Sequence, residues 1–242
     1  MSDSPLHFKG KKALEHVIEA RQKGFVAASE IHGTELPGHY SAAADAAKET
    51  AILLLILWTL YTPHLLSLFF LIGWFIWKVG RSAILGWSRL ERLHRLIEEE
   101  RWEIEHHRPQ ERNELKAMYE AKGFSGKMLE EVVDVLMSDD NRLLQVMVEE
   151  ELGLTLGVHE HPLKQAAGAL VGVVGAGLVM SFGLFILPIW GPGCCAALII
   201  ALSAGTTAQL EKNKIIPAIV WNLAVATLAA TAAYFVSQAY RP

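Results

Sequence analysis

Three long stretches of this sequence lack charge. Residues 51–77, 165–210 and 215–240 contain no Asp, Glu, Lys or Arg. Runs of 18 or more predominantly apolar residues read as membrane spans. Cysteine is scarce as well. Cys194 and Cys195 are the only two, and they are neighbours. Such a pair suits no ordinary structural disulfide and excludes a disulfide framework, so both read as small packing residues. The first forty residues lack an apolar core of the length a cleaved leader needs, so the first spans are expected to direct insertion. No His-Glu-x-x-His, Gly-rich phosphate loop or nucleophile constellation is found. Neither an enzyme nor an organic cofactor is expected.

The charge that is present is concentrated. Residues 88–163 hold 18 of the 26 acidic residues and 10 of the 22 basic ones. The chain reads as a membrane protein in the lipid bilayer with one acidic aqueous insert. Its net charge of -4 argues against a nucleic-acid partner.

The expected fold class is all-α: a multi-pass membrane protein of five transmembrane helices, with a helical domain between the second and third. The first span covers 42–61 and breaks at Thr62-Pro63. The second starts at His64, reaches about Trp87 and continues as the charged helix SRLERLHRLIEEERWEIEHH. Pro162 opens the third, PIWGPG is a turn, residues 194–210 make the fourth, and Pro217 opens the fifth. The domains are therefore 1–40, 41–87, 88–161 and 162–242. Basic residues choose the orientation. Lys9, Lys11, Lys12, Arg21 and Lys23 precede span one, Arg89, Arg92 and Arg95 follow span two, and Lys212 and Lys214 follow span four. The loops at Thr62 and Gly191 have no basic residue. The N-terminus and acidic domain are thus expected in the cytoplasm, and the C-terminus on the opposite side.

Charges inside spans are expensive and are paired or functional. Asp45, Lys48 and Glu49 lie in the first span, Lys78 and Arg81 in the second. Counted from Pro63, Glu49 matches Lys78 in depth and Asp45 matches Arg81. Ion pairs between them are expected. Two readings stay open: mutual neutralisation, or a cation or proton path lined by Asp45 and Glu49.

The acidic insert contains EEERWEIEHHRPQERNEL, residues 98–115. Glu100 and Glu103 share a helix face, and Glu111 and Glu114 repeat the spacing. Pro109 between them ends or kinks the helix, a bend able to turn the two faces towards each other. Farther on, Met147 and Glu151 lie one turn apart, with Glu150 beside them. Crowded carboxylates suit hard divalent ions, and a thioether adds preference for softer ones such as ferrous iron. The same density of glutamate also fits a solvated helix.

This order of features resembles the vacuolar iron transporter family. Glu100, Glu103, Glu111 and Glu114 match its E-x-x-E-x7-E-x-x-E, and Met147 with Glu151-Leu-Gly-Leu matches a later helix. The resemblance implies a homodimer that exports ferrous iron, or another divalent transition metal, from the cytoplasm in exchange for protons. It also suggests Asp45 as the aspartate of the first span. The membrane path departs from the family. Ala44-Asp45-Ala46 stands for Asn-Asp-Gly, and KVGRSAILGW, without methionine, replaces an Asp-Gly region. Val148 stands where some members have an acid. The alternative is a membrane-anchored metal-binding or sensing protein that does not transport.

Two further features are less specific. KKALEHVIEARQKGFVAASEIHG reads as an amphipathic helix on the membrane surface, with His7, His16, His32 and His39 scattered nearby. In spans three to five, GALVGVVGAGLVMSFG supplies a Gly-x-x-x-Gly for close packing, within one subunit or between two. His159 and His161 precede span three.

Overall fold

A computed structural model describes residues 38–151 and 161–239, together with Ile18. The rest of the N-terminal segment and His159 lie outside the described residues. Eight helices and no strand occur among the described residues. They are α1 (Gly38–Thr59), α2 (His64–His106), α3 (Arg108–Ala121), α4 (Gly126–Met137), α5 (Asp140–Glu150), α6 (Pro162–Ile186), α7 (Gly191–Leu210) and α8 (Ile215–Ala239). The apolar second span and the charged stretch after it form one helix, α2, of 43 residues. The chain divides at Trp87/Ser88 and again between α5 and α6 into two compact units.

Four helices (α2, α6, α7 and α8) are long and apolar enough to cross a membrane. α1 is not among them, because Asp45, Lys48 and Glu49 fall within its 22 residues. α1 nevertheless packs along α6 and reaches α7 and α8. The approach depends on glycine. A methyl group at Gly168 would overlap the carbonyl of His39, and one at Gly172 that of Ala43. The Gly-x-x-x-Gly face therefore serves packing within the chain. Ala51, Ala176, Met180, Ala196, Ile200 and Ala226 fill the space between these helices. The apolar part of α2 leaves Leu65, Phe69, Phe70, Ile76 and Trp77 exposed. Water is not the natural solvent of such a surface.

The acidic unit has a core of its own. Leu93 and Ile104 of α2 meet Leu115 and Met118 of α3, Leu129 and Val133 of α4, and Leu143, Met147 and Val148 of α5. Gly123 ends α3 in the left-handed region at φ 97, where a side chain would be strained. Asp139 caps α5, its side chain accepting the Arg142 N–H at 2.8 Å.

Candidate metal centre

Three elements of the acidic unit carry the expected ligands. α2 brings Glu100 and Glu103, α3 brings Glu111 and Glu114, and α5 with its C-cap brings Met147, Glu150 and Glu151. The break at His107 makes them converge. Its backbone leaves the helical region (φ -127, ψ 31), and Arg108-Pro109 opens α3. Proline cannot continue the helix before it but suits the first turn of the next. In one unbroken helix, Glu111 would stand about 16 Å along the axis from Glu100. Instead, oxygens from Glu100, Glu111 and Glu151 lie within 4.8 Å of one another, and all three side chains are buried.

Two like charges at that spacing repel by about 3 to 4 kcal/mol at an effective dielectric near 20. Three such pairs rival the entire stability of a small domain, about 5–15 kcal/mol. Three ionised carboxylates therefore need protons or positive charge among them. Glu100 registers this. Burial first, then the charges of Glu151, Glu111, Glu103 and Glu114, push its carboxyl well above the usual range. Its Oε1 is buried and accepts no hydrogen bond. A divalent cation fits this donor set, since it neutralises the charge and takes oxygen ligands.

The other expected ligands fall into three situations. Glu114 is buried and Glu103 half-buried, and both act on Glu100 through their charge without joining the three-oxygen group. Met147 is fully buried, and its carbonyl accepts the Glu151 N–H at 2.8 Å. Glu150 is half-buried and forms an ion pair with Lys122 of the α3 C-cap. Adjacent helical residues point about 100° apart, so Glu150 and Glu151 cannot share one face.

A basic ladder on the opposite face of α3 frames the site. Arg108 donates to Asp140 and to the Met137 carbonyl, each at 2.6 Å. Arg112 bridges Glu130 at 3.1 Å and Asp134 at 2.6 Å, and Lys116 also pairs with Glu130. The Lys116 hydrogen bond holds the Glu130 carboxyl below its usual value, and the Asp134 bond raises Arg112. The paired basic residues face α4 and the α4–α5 turn, while Glu111 and Glu114 occupy the buried side. Lys122 as the partner of Glu150 had no signal in the sequence.

In the other unit, Lys78 Nζ lies 2.6 Å from Glu49 Oε2. The expected Asp45–Arg81 pair does not form. Asp45 instead holds Lys48, on its own helix, at 2.9 Å, and Arg81 is exposed. Matching depth left out the partner on the same helix: Lys48 lies one turn from Asp45 and takes its carboxylate. Thr50 and Trp74, bonded at 3.0 Å beside the Glu49–Lys78 pair, carried no signal in the sequence. His161 caps α6, its Nδ1 accepting the Leu163 N–H at 3.2 Å, with its ring edge-on to Trp87.

The VIT family model matches residues 87–238, from the end of the apolar part of α2 through α8. α1, with Asp45 and Glu49, precedes the matched region, as do Lys78 and Arg81. No curated protein matches the chain.

Proposed function

This protein belongs to the vacuolar iron transporter family, a family of membrane metal-ion transporters, and from that premise we propose that it exports ferrous iron or a similar divalent metal from the cytoplasm in exchange for protons. The observation that carries the reading is the buried group of Glu100, Glu111 and Glu151. Their oxygens supply the primary coordination. Glu103 and Glu114 add negative charge around it, and Met147, from the same core, biases the site towards softer divalent ions. Metal captured in the acidic unit passes to Asp45 and Glu49, which carry cation or proton across the bilayer. The active form is a homodimer with five spans per subunit, α1 being the polar one. The N-terminus and acidic unit face the cytoplasm. No step needs an enzyme activity.

A second reading has its own support. Both acidic residues of α1 are engaged by lysines, and the family match begins beyond them. Under that reading the protein binds or senses metal without moving it.

Two measurements on the full chain separate these readings. Ferrous iron titrated anaerobically should bind with an affinity that falls at least tenfold, about 1.4 kcal/mol or more, in the Glu111→Ala/Glu114→Ala double variant. Unchanged binding would remove these residues from the site. In liposomes holding a metal-sensitive dye, iron flux with an opposing pH change supports export. Binding without flux supports the second reading.

A further inference from the structure

Lys78 is unusual for a residue in an apolar helical segment: it is buried, and it is part of a seat. Lys78, Ser82 and Gly86 follow one another at one-turn spacing and are the buried positions of α2 between 64 and 87. The Ser82 hydroxyl donates to the Gln165 carbonyl at 3.2 Å. At Gly86 a methyl group would press on Pro162 and Gln165. This stripe seats α2 on α6 and aims the Lys78 ammonium at Glu49. The Lys78 side chain is 11% exposed, whereas Glu49 is 42% exposed. The carboxylate can thus be approached by another ion while the ammonium still holds it. On the hairpin side, the Trp74–Thr50 hydrogen bond lies next to the pair. Beyond it a cavity of about 570 Å³ opens, with Leu54 and Leu71 as its nearest lining along the two helices and His64 at the hairpin end.

We propose that Lys78 is a specificity-determining residue: a tethered ammonium on Glu49 that a passing cation must displace. The proposal rests on the transport reading above. Exchanging the ammonium for an alkali ion replaces one unit charge by another and gains nothing in attraction. A divalent ion gains twice the attraction at the same distance. It can approach Glu49 from the open side and push the ammonium aside. Passage is thereby reserved for divalent ions without a dedicated filter. Lys48 holds Asp45 in the same way, but from the same helix and one turn away, so its release moves no second helix.

The test uses the full chain in liposomes, with anaerobic ferrous iron and, separately, potassium as probes. Wild type should carry iron and exclude potassium. K78Q should raise the potassium-to-iron flux ratio by roughly tenfold, within the usual span of coupling between two ligands. K78R should keep the wild-type ratio. If K78Q does not fold, K78M retains the stem and removes the charge. Iron binding to the acidic unit should be equal in all of them. A neutral variant with the wild-type ratio overturns the proposal while leaving transport intact. Wild type and variants that all bind iron and carry neither ion overturn the transport reading, and this proposal with it. Iron flux that appears only in K78Q or K78M also overturns the proposal, because the ammonium then bars divalent ions as well.

Discussion

Glu100 holds its proton more tightly in the folded chain than in the unfolded one, because burial and four neighbouring carboxylates oppose its charge. The folded state then binds more protons, and the sign of the pH dependence follows. Without metal, this contribution to stability is fully present below the ordinary carboxyl value of 4.5. It is lost as pH rises through the folded value. Glu100→Gln keeps the shape and removes the charge. We predict that it raises metal-free stability at neutral pH by on the order of 1 kcal/mol, flattens the pH slope and weakens iron binding. Hydrogen exchange over α3, in chelator from pH 5 to 8, measures the first two effects. A variant less stable than wild type and equally pH-sensitive would contradict the account. At this scale the sequence was informative about candidates and silent about geometry. Spacing picks out Glu100, Glu103, Glu111 and Glu114, and Pro109 marks the turn between them. Which oxygens meet depends on the rotation across the His107 break, and periodicity does not survive a break. Depth alone likewise paired Asp45 with Arg81, where Lys48 of the same helix takes the carboxylate.

Helices were more legible than contacts. Absence of charge located the apolar helices, and prolines placed the starts less closely: α8 begins at Ile215, before Pro217, and α7 at Gly191, inside the expected PIWGPG turn. Pro162 opens α6, and the joint between α1 and α2 falls at Tyr61–Pro63, where Tyr61 takes φ 53. The continuity of α2 followed from a stretch without glycine or proline between Trp87 and Pro109. The role of the α6 glycines did not, because a small residue does not announce what approaches it. The structure separates them. Gly172→Ala must displace the Ala43 carbonyl, and we predict a loss of about 1–3 kcal/mol, typical of overpacking. Gly175→Ala meets nothing within 4 Å and should change stability little. Thermal unfolding of the two variants in detergent compares them directly. Equal stabilities would remove α1–α6 packing as the reason for glycine at 172.

Across the whole molecule, the distribution of basic residues makes a claim about sidedness that the helices alone do not. With Cys194 and Cys195 replaced by serine, Gln110→Cys and Ile189→Cys are single reporters on the acidic unit and on the α6–α7 turn. Both positions are exposed. We predict that a membrane-impermeant maleimide added to intact cells labels Ile189→Cys and spares Gln110→Cys until the membrane is opened. The opposite pattern would invert the proposed direction of transport. The charges of α1 explain why the expected first span is the hardest part to read at this scale. Its side chains suit a membrane only through partners, and partners come from the fold.

The break at His107 has a mechanical consequence. It brings repelling carboxylates together, and what keeps them there is the hydrophobic core shared by the helices that carry them, with Leu115, Val133, Leu143 and Val148 among its members. The hydrophobic core thus acts as a clamp on the site it surrounds. A change such as Leu143→Ala, which removes no candidate ligand, would let the carboxylates drift apart and would be read as weaker metal binding. Conversely, we predict that a bound metal ion would relieve the load on the clamp, so that amide hydrogens of the acidic unit exchange more slowly with metal than in chelator. Occupancy would then be reported by rigidity, through the same helices that supply the candidate ligands.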